Sequence, residues 1–240
     1  MENKKKIQVK VIGSFKSEND KIKKALVVAN GYIKNYLSTS EIIKKYYGFN
    51  SDDFTVAVDG EALNCINLKI MPDIIIGDMD SLTAAIISKL NAVKKELKFI
   101  NCSHDKDESD TQLALDYLKN RDFKKILIIG ALGNRVDHSF ANLILIAAEK
   151  YGDIDIRILS ENSEIFTVNS SCKIMGTTGK KISIFSLTPH TYFEKTYGLK
   201  YKLKKEKLLF SPVRGLSNEF TKDYAKIDIS EGKLLIIKEI

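Results

Sequence analysis

The chain has 240 residues, room for one large domain or two modest ones, each with its own core. Hydrophobic residues make up 44% and charged residues 29%, which excludes a disordered, collagenous or fibrous chain, and no apolar run approaches the ~20 residues that span a bilayer. The net charge of +7 suits nucleic acid, a membrane surface, phosphorylated small molecules or plain solubility, and without an RNP motif, zinc-finger spacing or basic heptads it does not make a nucleic-acid module.

The opening MENKKKIQVKVIG has a charged start but no apolar core or small-residue cleavage site, so it does not read as a secretory signal. Residues 1–24 read as an extra strand or arm without an assigned place. Apolar runs rich in β-branched residues follow at 25–30, 54–60, 73–78, 97–103, 124–132 and 154–160. Continuous rather than alternating runs predict strands of a parallel sheet covered on both faces. Helical patterns lie between several of them, at 36–47, 82–95, 109–120 and 139–151, and this alternation predicts an α/β layer with right-handed crossovers. Ser109 and Gln112 have capping-box spacing, with Asp110 in the first turn. Gly152 is placed to end the helix that begins at SFANLIL.

Beyond about residue 160 the helical period fades. Short strands (EIFTV, CKIM, KISIFSLT, KYKLKKEKLLF, YAKIDIS, KLLIIKEI) are separated by glycines and prolines, with a turn at Glu231-Gly232. That texture predicts an antiparallel sandwich or partial barrel. The division is set at residues 1–155 and 156–240, although the run at 154–160 could instead close the first sheet. Cys65, Cys102 and Cys172 are odd in number and form no C-x-x-C pair, which fits buried thiols in a reducing cytoplasm.

Three segments carry the chemistry. Gly77-Asp78-Met79-Asp80-Ser81 follows a buried strand, which puts two carboxylates in the crevice where α/β sheets bind ligands. It is either a Mg²⁺ site or a solvated polar turn, and the strand and glycine context favours the metal. Asp105-Lys106-Asp107-Glu108-Ser109-Asp110 is either a helix start or a further metal ligand with a cation for phosphate. In Gly130-Ala131-Leu132-Gly133-Asn134-Arg135-Val136-Asp137-His138 the glycines admit a ligand to the backbone and Arg135 can fork onto phosphate. Asp137 could accept from a ligand amine or cap the next helix, and His138 reads as a structural hydrogen-bonding residue. No G-x-x-x-x-G-K-[ST] or strand-following G-x-G-x-x-G is present, against a P-loop NTPase or a dinucleotide dehydrogenase.

In this order, AVDGEALN (57–64), PDIIIGDMDSL (72–82), DKDESDTQLAL (105–115), GALGNRVDHSFANL (130–143) and GLSNE (215–219) resemble the thiamine pyrophosphokinase family. The resemblance implies a Rossmann-like, mostly parallel α/β catalytic domain followed by a C-terminal antiparallel β-sandwich for thiamine binding and dimerisation. It implies Mg²⁺-dependent transfer of pyrophosphate from ATP to the thiamine hydroxyl by a homodimer with its sites at the subunit interface; the chain is expected to be cytoplasmic and to bind neither nucleic acid nor membrane. By motif, Asp78, Asp80 and Asp110 resemble the Mg²⁺ ligands, and Asp107 an acidic neighbour. Lys106 and Arg135 resemble phosphate-side cations, while Asp59, Ser81, Asp137, Ser217 and Asn218 resemble nucleotide or thiamine contacts. Glu61 replaces a family glycine and displaces the following Asn to Asn64; Asn134 replaces another glycine; and with no Trp, Phe220 or Tyr224 would stack on the pyrimidine. The dimer contact is expected to draw on Phe185, Leu187, Tyr192 and Phe193. The alternatives are a diphosphokinase of related architecture acting on a hydroxymethyl pterin, and a basic nucleotide- or nucleic-acid-binding module.

Overall fold

The computed structural model describes residues 10–12, 15, 22–50, 52–80, 83, 87–90, 97–103, 107–133 and 135–240. In chain order they form β1 (Lys10–Ile12), β2 (Lys24–Val28), α1 (Tyr36–Tyr47), β3 (Phe54–Val58), a 3-10 turn (Asp59–Glu61), α2 (Ala62–Leu68), β4 (Ile74–Gly77) and β5 (Lys98–Asn101). Then come α3 (Asp110–Lys119), β6 (Lys125–Ile129), α4 (Val136–Leu145), a second 3-10 turn (Glu149–Tyr151) and β7 (Asp155–Ser160). The chain ends in strands only: β8 (Ser163–Val168), β9 (Cys172–Met175), β10 (Lys181–Ser186), β11 (His190–Tyr197), β12 (Lys204–Leu209), β13 (Asn218–Glu219), β14 (Tyr224–Glu231) and β15 (Leu234–Glu239). Two compact units result, one of Phe15–Asn162, the other of Ser163–Ile240 with the N-terminal Met1–Ser14.

The first unit is built on a parallel sheet in the order β7-β6-β2-β3-β4-β5. In β2, β3 and β6 every residue after the first is buried, as continuous apolar runs require when both faces are covered. Fully enclosed side chains such as Leu26, Ile75 and Leu127 each contribute about 1.5–3 kcal/mol by leaving water. β5 departs from the expectation: it is an edge strand, and Phe99 is 42% exposed. Local signals set the helix ends. Asn35 accepts the Ser38 N–H to start α1, and Gly48, at φ 67°, ends it in the left-handed conformation. Ser109 accepts the Gln112 N–H to start α3, with Asp110 in its first turn.

The second unit is a sandwich. One sheet runs β1-β9-β14-β11-β12 and the other β13-β10-β15-β8. Phe193, Ile174 and Ile227 from the first share a core with Phe166, Ile182, Ile184 and Ile236 from the second. All pairings are antiparallel except β1 with β9. The expected turn between β14 and β15 is made by Gly232 at φ 95°.

Several expectations are corrected. The run at 154–160 takes the second of the two places open to it: β7 pairs in parallel with β6 along Lys125–Ile129 and closes the first sheet, and the first unit runs to Asn162. The N-terminal segment contributes β1 to the second unit. α2 and β11 form where neither was expected. α4 stops at Leu145 because the chain turns to bury Tyr151, whose hydroxyl donates to Asp116 Oδ1 at 2.8 Å; Gly152 has φ −60° and is no left-handed cap. Of the helix expected over 82–95, residues 83 and 87–90 are described; 87–90 are helical and Thr83 is not. Among the described residues no helix is long and apolar enough to cross a membrane.

Candidate active site

In the first sheet β2, β3, β4 and β5 follow one another in one direction, whereas β6 and β7 lie on the other side of β2. The connections after β2 and β6 therefore diverge at their C-terminal ends and leave a crevice, the place where open α/β sheets hold ligands. A cleft of about 960 Å³ opens there. Its walls come from Asn30–Ile33 after β2, Val58 and Asp59 after β3, Asp107–Thr111 at the start of α3, Gly130, Ala131 and Gly133 after β6, and Arg135 with the first turns of α4.

Glycines make this meeting of loops possible. A Cβ on Gly31 would lie 2.9 Å from the Gly130 carbonyl carbon, and one on Gly133 would lie 3.0 Å from the Tyr32 nitrogen. Gly130, at φ 66°, turns the chain out of β6, and its carbonyl accepts the Gly31 N–H. Opposite, Tyr36 donates from its hydroxyl to Asn64 Oδ1 at 2.6 Å, tying the start of α1 to α2. The displaced Asn64 thus still reaches the cleft.

Of the residues singled out from sequence, Asp59, Asp107, Asp110, Arg135 and Asp137 line this cleft together. Asp78 and Asp80 follow β4, the neighbour of β3, and are not among its lining residues. Asp59 is in the left-handed region at φ 55°, and a Cβ on Gly77 would lie 2.7 Å from its Cα, so that glycine lets the strand end carrying Asp78 pack against Asp59. Asp78 Oδ1 accepts the Asp80 N–H at 3.1 Å, with Met79 at φ 65° between them, a tight turn that holds both carboxylates at the strand end. Ser81 and Lys106 lie outside the described residues.

Arg135 and Asp137 form an exposed, two-pronged pair, Nε to Oδ1 at 3.3 Å and the terminal nitrogen to Oδ2 at 2.6 Å. The Arg135 guanidinium, and after it the His138 N–H, hold the Asp137 carboxyl down at about 2. Asp137, in the first turn of α4, therefore pairs with Arg135, and Arg135, the N-cap residue of that helix, makes no side-chain cap bond. His138, read as structural, is exposed on the cleft wall.

Ser217 and Asn218 belong to the second unit. Ser217 is exposed at φ 56°. Asn218 is 5% exposed and its amide is spent on backbone: Oδ1 accepts the Tyr201 N–H at 3.0 Å and Nδ2 donates to the Tyr201 carbonyl at 2.8 Å. Phe220 is fully buried in the sandwich core with Gly176 against its ring, so it cannot stack on a pyrimidine. Tyr224 is half-buried and tilted against Tyr197 at 5.9 Å. Phe193 likewise fills the core and is lost to any dimer contact.

The donor set is one of hard carboxylates at neighbouring strand ends, which fits Mg²⁺. Among the described residues no three His, Cys, Asp or Glu side chains cluster closely enough to hold a metal. Mg²⁺ does not demand such a cage, since it keeps several waters and takes one or two carboxylates plus substrate phosphates. Sequence reading missed Asn30, Gly31, Tyr36, Thr111, Ser139 and Asn142 in the cleft. The Asn-Gly directly after the first apolar run was a signal for such a loop.

The family model described as "Thiamin pyrophosphokinase, catalytic domain" matches residues 47–158, and "Thiamin pyrophosphokinase, vitamin B1 binding domain" matches residues 165–234. The chain belongs to the thiamin pyrophosphokinase family. Both matches fall within the two compact units, one in each. Thiamine pyrophosphokinase of Bacillus subtilis is 23% identical over 185 residues, 76% of this chain and 86% of that protein. Thiamine pyrophosphokinase 1 of rice is 28% identical over 107 residues, 42% of this chain. The matched region spans about two fifths of the plant relatives' length. A crystal structure of the Bacillus subtilis enzyme superposes with a TM-score of 0.78 at 22% identity, over 90% of this chain and 99% of that one, a likeness of fold.

Proposed function

We propose that this chain transfers a pyrophosphoryl group from ATP to the hydroxyl of thiamine, giving thiamine diphosphate and AMP. The observation that carries the reading is the switch-point cleft, where Asp59, Asp107, Asp110 and Arg135 converge in the unit matched by the catalytic family. Thiamin in the description of both family models favours it over the pterin. The thiamine oxygen attacks the β-phosphorus, the bond to the α-phosphate oxygen breaks, and AMP carries away that electron pair. Asp107 or Asp80 takes the hydroxyl proton. Arg135, and Lys106 by sequence, offset charge on the phosphate oxygens, and the glycine loops bring backbone close to the nucleotide. Mg²⁺, which when bound neutralises phosphate charge, would be held by one or two of Asp78, Asp80 and Asp110 together with the substrate phosphates.

We also propose a cytoplasmic homodimer. Among the described residues no disulfide forms; Cys65 and Cys172 are buried and Cys102 half-buried, as suits a reducing compartment. α4 exposes Val136, Phe140 and Ile144 at 80, 62 and 51%, an apolar stripe that supports contact with a second copy. The test is ATP and Mg²⁺ with either thiamine or a hydroxymethyl pterin, with AMP measured. Thiamine-dependent AMP supports the proposal; pterin-dependent AMP alone, or no acceptor dependence, overturns it.

A further inference from the structure

α4 is packed inside out. Its sequence, VDHSFANLIL, is largely apolar, yet of its residues, all described, Asn142 alone is buried, at 8%, while Phe140 lies open. A polar amide is enclosed only where it makes hydrogen bonds. Asn142 Nδ2 donates to the Ala131 carbonyl at 2.8 Å. One turn earlier on the same face, the Ser139 hydroxyl accepts the Gly133 N–H at 3.0 Å and donates to the Arg135 carbonyl at 2.9 Å. The Gly31 N–H holds the Gly130 carbonyl from the other side. Backbone groups of Gly130, Ala131, Gly133 and Arg135 are thus each held by another part of the first unit. All these bonds surround the cleft.

We infer that Asn142 and Ser139 are positioning residues that hold the Gly130–Gly133 turn and the Arg135 backbone as the seat of the ATP phosphates. The inference rests on the ATP reading above. Both side chains act through the loop: their polar atoms are turned to its backbone, and what they fix is where Arg135 leaves it. A loop with glycines at 130 and 133 is pliable by itself, and holding it in place before the ligand arrives lowers the ordering cost of binding.

The test measures ATP affinity by calorimetry without thiamine, then KM for each substrate, for Ser139→Ala, Asn142→Ala and the conservative Ser139→Thr. Tyr151→Phe, which removes a bond to Asp116 away from the cleft, is the control for general loosening. Each alanine variant should weaken ATP binding and raise the ATP KM about tenfold, the equivalent of one lost hydrogen bond, with the thiamine KM within about twofold of the parent. Ser139→Thr should recover most of the affinity, and Tyr151→Phe should lower the melting temperature without changing it. If Ser139→Ala, the milder change, binds ATP like the parent, or if both substrates weaken in parallel, the assignment is wrong. A parent protein that binds no ATP overturns the ATP reading and this one with it.

Discussion

Gly31→Ala probes the switch point directly. The added methyl would lie inside van der Waals contact with the Gly130 and Leu132 carbonyl oxygens and 2.9 Å from the Gly130 carbonyl carbon. These are backbone atoms just after β6, so no side chain can rotate away. Restoring ordinary contact at about 3.5 Å requires the two loops to part. Overpacking of this kind costs about 1–3 kcal/mol, and losing the Gly31 N–H to Gly130 bond adds about 1 kcal/mol. At roughly 2–4 °C per kcal/mol for a unit of this size, the first unit should melt about 5–15 °C lower. Because the same loops wall the cleft, ATP affinity should fall with it. Scanning calorimetry and an ATP titration read the two effects. Gly152→Ala, at φ −60° with its nearest neighbour the Glu149 oxygen at 3.2 Å, is the control and should change stability by less than about 1 kcal/mol. A Gly31→Ala protein that melts within about 2 °C of the parent and keeps its ATP affinity would refute the packing argument.

Asp78→Asn should slow turnover by about 10²–10³-fold while the melting temperature moves little, because the side chain serves a turn and not the core; steady-state rates and melting curves decide. Arg135→Gln should raise the Asp137 carboxyl from about 2 toward the ordinary ~3.9. Since that carboxyl is depressed in the folded protein, the pair favours folding above about pH 4 and loses the effect as pH falls toward 2, which an NMR titration of Asp137 follows. An Asp137 titration that ignores the substitution would remove Arg135 as the cause. Asn218→Ala should cost about 1–2 kcal/mol of stability through the lost bonds to Tyr201, with a smaller change in thiamine KM; a large KM effect at unchanged stability would restore Asn218 as a ligand contact.

Local chemistry was readable from the residues. α1 was expected at 36–47 and occupies Tyr36–Tyr47, and the Ser109 cap is where its spacing put it. What depended on distant partners was not readable. β1 exists by pairing with β9, some 160 residues away in sequence, and three residues carry no period of their own. β11 has register shifts at Tyr192–Lys195 that break its alternation. The apolar run at 97–103 resembled its neighbours but became an edge, a matter of sheet order. In the site, carboxylates and arginine stood out because charge after an apolar strand is conspicuous. Asn142 and Ser139 did not, because an Asn and a Ser in an apolar helix acquire a role only when the loop they hold is known. Phe220 and Phe193 passed for ligand and interface residues because burial in a sandwich core is settled by the facing sheet.

The most direct measurement is phosphorus NMR of the protein with ATP, Mg²⁺ and thiamine. AMP and thiamine diphosphate should appear in equal amounts, both about 10²–10³-fold more slowly in Asp78→Asn. ADP with thiamine monophosphate, or ATP consumption indifferent to thiamine, would contradict it.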